Sequence, residues 1–89
     1  MQAHAKVDLK VVVTFPLGHG PYQATQPADT LVGEVRHAAM NHFGAVEDPN
    51  LLFYLTHAGD KISDEATIGS VAGEGAAVKF TLVREIVNG

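Results

Sequence analysis

The 89-residue chain contains no cysteine and no tryptophan, few cations, and no long apolar run. Without cysteine there is no disulfide framework, no thiolate zinc site and no cysteine nucleophile. The cations Lys6, Lys10, Arg36, Lys61, Lys79 and Arg84 do not cluster, and the formal net charge is −4. The basic footprint of a nucleic-acid binder is missing. No stretch approaches the roughly 20 apolar residues of a membrane span, and no apolar segment follows the first six residues as in a signal peptide. The expectation is therefore a soluble, cytoplasmic protein. What is present is 46% hydrophobic and 18% charged residues, a composition that folds. The length is that of one small domain, with little room for an enclosed active site.

Val7, Leu9, Val11, Val13 and Phe15 alternate with Asp8, Lys10, Val12 and Thr14. A period of two in β-branched residues predicts a strand with one wet face. Pro16-Leu17-Gly18-His19-Gly20-Pro21 then predicts a turn or hairpin loop. Tyr22 to Gln26 is a weaker strand that ends at Pro27. A helix is expected to open at Asp29-Thr30, with either residue capping it and Glu34 complementing its dipole. Leu31, Val35, Ala38/Ala39 and His42/Phe43 would form its apolar face, and Gly44 its left-handed stop. Leu51 to Thr56 reads as a strand. Ala58-Gly59-Asp60 reads as a turn, and Lys61-Ile62 as a very short strand. Ser63-Asp64-Glu65 suggests the start of a short helical turn. The last strand is expected over Ala77 to Ile86, with Val78, Phe80 and Leu82 on its inner face. One helix cannot cover both faces of a sheet, so the fold class is α+β in two layers. The first and last strands are the longest and most apolar, which places them centrally and side by side.

This element order, with its turn residues, resembles ubiquitin and its relatives. Pro27-Ala28-Asp29-Thr30-Leu31 resembles the Pro-Ser-Asp-Thr-Ile that starts the ubiquitin helix. Leu55-Thr56-His57-Ala58-Gly59-Asp60-Lys61-Ile62, followed by Asp64, resembles Leu-Ile-Phe-Ala-Gly-Lys-Gln-Leu and the acidic residue after it. Thr67-Ile68 matches the Thr-Leu at ubiquitin's second helical turn. Leu82-Val83-Arg84-Glu85-Ile86-Val87-Asn88-Gly89 aligns without a gap on Leu-Val-Leu-Arg-Leu-Arg-Gly-Gly. The resemblance spans residues 7 to 89. It implies a ubiquitin-like β-grasp fold, a mixed sheet of four to five strands with one main helix packed on one face. It also implies a flexible segment at 1–6, the domain at 7–86 and a flexible conjugation tail at 87–89.

The chain departs from ubiquitin in a longer first loop, an Asn-Gly end, and a tail whose basic residues are reduced to Arg84 opposed by Glu85. So divergent a sequence looks most like the ubiquitin-like proteins of bacterial conjugation operons, some of them linked to antiphage defence. The resemblance implies a protein modifier that is not itself an enzyme. Its partners would be an activating enzyme, a conjugating enzyme, a processing peptidase and target proteins, with ATP used by the activating enzyme. The modifier would be a monomer and hold no cofactor. Val87, Asn88 and Gly89 would form the conjugation tail, glycine suiting the last position because backbone can approach a partner closely there. Either Gly89 is the working end, or a peptidase trims it and Asn88 becomes the acyl donor. Leu17, Thr56, Thr81 and Val83 match ubiquitin's partner patch, although two of the four are threonine. Val12 would extend the surface, and Arg84 is added to it. The rival readings are a non-conjugating interaction module and a sulfur carrier for cofactor synthesis.

The residues offer little other chemistry. His4, His19, His37, His42 and His57 show no ligand spacing. Ser63 and Ser70 lie in no nucleophile elbow. Glu47-Asp48 and Asp64-Glu65 sit in turn-like sequence and suit capping better than catalysis.

Overall fold

In a computed structural model describing residues 8–87, alternating apolar side chains form strands wherever the period-two pattern is clean. The order is β1 (Asp8–Thr14), β2 (Tyr22–Pro27), α1 (Val32–Phe43), β3 (Leu51–His57), β4 (Asp60–Ile62), α2 (Ile68–Ala72) and β5 (Ala77–Ile86). The strands make one mixed sheet in the order β2-β1-β5-β3-β4. β1 and β5 pair in parallel, and the remaining neighbours are antiparallel. This is a ubiquitin-like β-grasp fold of the α+β class, as the element order and turn residues imply. Residues 1–7, which include the segment 1–6 expected to be flexible, and the last two residues of the expected tail lie outside the described residues.

The inner faces expected of the first and last strands are realised, and β3 adds to them. Leu9, Val11 and Val13 of β1, Phe53 and Leu55 of β3, and Val78, Phe80 and Leu82 of β5 are buried against Val32, Val35, Ala39 and Met40 of α1. Full burial of each such side chain contributes about 1.5–3 kcal/mol. Among the described residues, every fully buried side chain is apolar.

Three local expectations differ from the structure. The helix begins two residues later than Thr30: Leu31 is the N-cap and provides no side-chain hydrogen bond. Asp29 and Thr30 are not needed as caps, because backbone from a remote segment satisfies the first turn. The Val32 N–H donates to the Ala66 carbonyl at 2.7 Å and the Gly33 N–H to the Asp64 carbonyl at 3.0 Å. These bonds satisfy donors that a helix start otherwise leaves orphaned. The apolar stripe is correspondingly shifted, with Val32 buried and Leu31 exposed. Second, the short helix does not start at Ser63-Asp64-Glu65. That segment is a turn, in which the Glu65 N–H donates to Ser63 Oγ at 3.1 Å. The helix starts after Thr67, whose hydroxyl accepts the Ser70 N–H at 3.2 Å. Third, His42 of the expected apolar face is exposed, while Phe43 packs on Phe15 with ring centroids 5.3 Å apart. Gly44 closes α1 at φ +72°, the left-handed stop expected of it.

Two loops are drawn together by this docking. The Ile68 N–H donates to Thr30 O and the Gly69 N–H to Ala28 O, both at 2.8 Å. A Cβ on Gly69 would lie 2.8 Å from that same Ala28 oxygen and 2.9 Å from the Ala28 Cβ. Helix propensity alone makes alanine better than glycine by about 1 kcal/mol. Overpacking a tight contact costs about 1–3 kcal/mol, and here the neighbour is hydrogen-bonded backbone. Gly69→Ala is therefore expected to lower stability by up to about 2 kcal/mol in urea unfolding. A stabilised variant would show that the two loops do not make this close approach.

Candidate functional site

The outer face of the sheet follows from strand register. In an extended chain successive side chains point to opposite faces. With Leu9, Val11 and Val13 inward, Lys10, Val12 and Thr14 point outward. The pairs Val12↔Lys79, Thr14↔Thr81, Thr56↔Thr81, Tyr54↔Val83 and Thr56↔Lys61 carry that face across four strands. Thr14, Thr81 and Thr56 thus form one row. The Thr14 and Thr81 hydroxyls lie 3.4 Å apart, and Thr56 Oγ1 reaches the Thr81 carbonyl at 3.5 Å. Beside the row Lys61 Nζ sits 4.7 Å from the centre of the Tyr54 ring, a cation–π geometry. Val12, Thr56, Thr81 and Val83 are half-buried members of this face.

Arg84 does not belong to it. Its register partner is the buried Phe53, so it leaves β5 on the helix side of the sheet. It contributes there to a groove of about 410 Å³ whose other walls include Phe15, Leu17, Phe43, Val46 and Phe53. The parity of β5 turns it to the opposite side of the strand from Thr81 and Val83, so the six expected residues do not all leave one face of the sheet. Leu17, 60% exposed in the β1–β2 loop, also touches a smaller hollow of about 270 Å³ bounded by Val83 and Arg84. It sits at the rim where the two faces meet.

Val87 is the only expected tail residue among those described. β5 ends at Ile86, and the Val87 N–H donates to the Asn50 carbonyl at 2.8 Å. That is the final backbone tie holding the chain to the body among the described residues. Asn88 and Gly89 lie outside the described residues.

The strongest electrostatic constellation lies elsewhere. The Arg36 guanidinium, with only 12% of the side chain exposed, donates Nε–H to Asp64 Oδ1 at 3.0 Å and Nη2–H to Asp64 Oδ2 at 2.8 Å. Its Nη1 lies 3.6 Å from Glu47 Oε2. The Asp64 hydrogen bonds, opposed by burial and assisted by the charges of Asp64 and Glu47, raise its pKa above the ordinary arginine value. The arginine remains charged at any physiological pH. It clamps α1 to the loop after β4 and to the loop before β3, and its role is positional. Sequence reasoning missed it because its partners are 28 and 11 positions away, a spacing with no periodic signature.

His19, His37, His42 and His57 do not gather. Among the described residues no three His, Asp or Glu side chains are arranged to hold a metal ion. Ser70 donates its hydroxyl proton to the Thr67 carbonyl at 2.7 Å, and Asp48 Oδ1 accepts the Asn50 N–H at 2.8 Å. Ser63, Ser70 and Asp48 therefore order turns. Among the described residues no helix is long and apolar enough to cross a membrane.

Neither a protein-family profile nor a curated protein matches the sequence. Solved structures do. The ubiquitin of Caldiarchaeum subterraneum superimposes with a TM-score of 0.70 at 24% identity, covering 92% of this chain and 99% of that one. A structure described as "Molecular Mimicry of SUMO promotes DNA repair" gives 0.68 at 12% identity, covering 91% and 95% of the two chains. A chain of a pParkin–pUb–UbcH7 complex gives 0.69 at 16% identity over 89% of this chain and 23% of that longer one. At these identities the likeness defines the fold, and the class of protein it defines is the ubiquitin-like β-grasp domain.

The Val87–Asn50 tie gives a direct measurement. Proline has no N–H to donate, so Val87→Pro is expected to remove the bond at a cost of about 0.5–1.5 kcal/mol. In the unmodified protein the Val87 amide should exchange with solvent at least tenfold more slowly than a free peptide amide. Random-coil exchange at Val87 would show that the body ends earlier, at Ile86.

Proposed function

We propose that the chain is a ubiquitin-like protein modifier, catalytically inert itself, whose C-terminal carboxylate is activated by an ATP-dependent enzyme. The carboxylate at Gly89, or at Asn88 after trimming, attacks the α-phosphate of ATP on the activating enzyme and displaces pyrophosphate. A thiol or hydroxyl of a partner enzyme displaces AMP from the acyl adenylate. A conjugating enzyme then passes the acyl group to an amine of the target protein, and a peptidase processes or reverses the linkage. This chain supplies only the acyl group, so ATP belongs to its partner and no cofactor is required of the fold. The modifier acts as a cytoplasmic monomer. The bacterial, antiphage setting rests on the resemblance of its divergent tail to modifiers of bacterial conjugation operons.

One observation carries the reading. The long central strand of a ubiquitin-like sheet ends at Ile86, and after the Val87–Asn50 bond the chain proceeds into Asn88-Gly89. The backbone tie at Val87 fixes the root of the proposed conjugation tail against the body.

Co-expression with the adenylating and conjugating enzymes of its own operon tests the proposal. Target proteins are expected to gain the mass of this chain less one water in intact-mass spectra, and trypsin, which cuts after Arg84, should leave Glu-Ile-Val-Asn-Gly, or Glu-Ile-Val-Asn after trimming, on the acceptor amine. Deleting residues 88–89 should abolish every adduct. Full biological activity after that deletion would overturn the proposal in favour of a non-conjugating interaction module. A C-terminal thiocarboxylate formed with ATP and sulfide, without adducts, would overturn it in favour of a sulfur carrier.

A further inference from the structure

The sequence holds three asparagines, Asn41, Asn50 and Asn88, and a single asparagine–glycine step, Asn88-Gly89. Asparagine is among the chemically labile side chains. The backbone nitrogen of the residue after it can attack its side-chain carbonyl. Two things hold that nitrogen back: a hydrogen bond that occupies its N–H, and a Cβ that crowds its approach. The three asparagines differ on both counts.

Asn41 lies in the last turn of α1 and is followed by His42. Inside a helix each N–H is tied to the carbonyl four residues back, so the His42 nitrogen is engaged. Asn50 stands in the turn before β3. The nitrogen after it belongs to Leu51, whose N–H donates to the Asp48 carbonyl at 3.0 Å. Asn50 is held on two further sides. Its own N–H donates to Asp48 Oδ1 at 2.8 Å, and its carbonyl accepts the Val87 N–H at 2.8 Å. Both asparagines are exposed to water, yet the fold restrains the nitrogen that would attack each of them. Asn88 comes after β5 and after the last backbone tie among the described residues, at Val87. The residue that follows it is glycine, which has no Cβ and the widest choice of backbone conformation.

We propose that Asn88 is a site of spontaneous modification, at which the Gly89 nitrogen closes on the side-chain amide to form a succinimide that water opens to aspartate or iso-aspartate. The atoms balance with water as the sole co-reactant. The Gly89 nitrogen bonds to Asn88 Cγ and gives up its proton, and the amide nitrogen leaves as ammonia. The ring joins the Gly89 nitrogen to both carbonyl carbons of Asn88. Water adds to one of them, and the C–N bond there breaks. Opening at Cγ leaves aspartate in an ordinary peptide link. Opening at the main-chain carbonyl leaves iso-aspartate, in which the chain runs through the side chain. Nothing is oxidised or reduced.

Each product carries a new carboxylate that is ionised at neutrality, since aspartate titrates near about 3.9. The net charge of −4 becomes one unit more negative. The inference deepens the modifier reading by giving its acyl end a chemical lifetime, and it rests on that reading for this consequence alone. A donor carboxylate must approach the phosphates of ATP, and a second anion beside it adds like-charge repulsion. In iso-aspartate the backbone path is also longer by a carbon. The converted chain is therefore a poor acyl donor at Gly89. A peptidase that removes Gly89 first takes away the attacking nitrogen, so trimming and ageing compete at the same residue.

Peptide mapping of the full 89-residue chain, kept in neutral buffer at body temperature without any partner enzyme, tests the conversion. Trypsin, cutting after Arg84, releases the peptide that begins at Glu85, and its amide-to-acid mass increment reports Asn88. Iso-aspartate is read by isoaspartate-specific enzymatic methylation. Asn88 is expected to convert at least tenfold faster than Asn41 and Asn50 in the same sample, with iso-aspartate among the products. Gly89→Ala should slow the conversion at least tenfold. Three results would each overturn the inference: an Asn88 that lasts as long as Asn41 and Asn50, equal rates with and without the Gly89→Ala change, or aspartate formed with no iso-aspartate, which would mean direct hydrolysis of the side chain. Aged and fresh chains are then offered to the activating enzyme with ATP. The aged chain should yield at least tenfold less acyl adenylate, and equal yields would overturn the stated consequence. If neither chain is adenylated, the modifier reading falls, while the conversion, measured without partners, stands.

Discussion

The parallel pairing of β1 with β5 is the constraint on which the rest of the molecule depends. It joins residues 10–14 to residues 77–81. These strands bury Leu9, Val11, Val13, Val78, Phe80 and Leu82 beneath α1. Once that register is set, alternation assigns every remaining side chain on the two strands to a face. A slip of one residue would exchange the valines and phenylalanine of the core for Lys10, Lys79 and the threonines, so the core enforces the outer surface as strictly as the inner one. The lysine-bearing face is a consequence of packing on the side opposite.

A second constraint is backbone-to-backbone docking between the start of α1 and the segment 64–69. Four main-chain hydrogen bonds, from Val32, Gly33, Ile68 and Gly69, tie the two together without a polar side chain. The Arg36–Asp64 pair reinforces the same junction from the surface. Such a joint tolerates change in side-chain identity where it is exposed and resists it where a Cβ has no room, as at Gly69 and, less severely, at Gly33 beside Asp64.

The strands were legible because their physics is local. Period-two alternation in 9–13 and 78–82 names both the element and its buried face, and Gly44 marks the helix stop through a conformation few other residues adopt. What could not be read was anything decided by a remote partner. Asp29 and Thr30 look like caps, yet carbonyls from 64 and 66 take the helix donors first. Ser63-Asp64-Glu65 has helix-starting composition, yet Thr67 holds the cap, a start that the likeness of Thr67-Ile68 to ubiquitin marked and the composition did not. Arg84 looked like part of the outer surface by its place in an aligned tail, and only counting from Phe80 through Leu82 shows that it leaves on the helix side. The proposed tail itself was read from likeness to a known sequence, and of it the fold displays only the anchor at Val87.

The central position of β5 bears on how the protein is made. The sheet's middle strand is the one synthesised last, so a nascent chain emerging from the ribosome carries β1 and β3 with an unfilled gap between them. Neither can complete its ladder until Ile86 has been added, and the non-local closure makes cooperative folding a late event. A product truncated before that point lacks its core strand and is exposed to proteases. A chain that stops short of β5 therefore lacks the strand that joins β1 to β3.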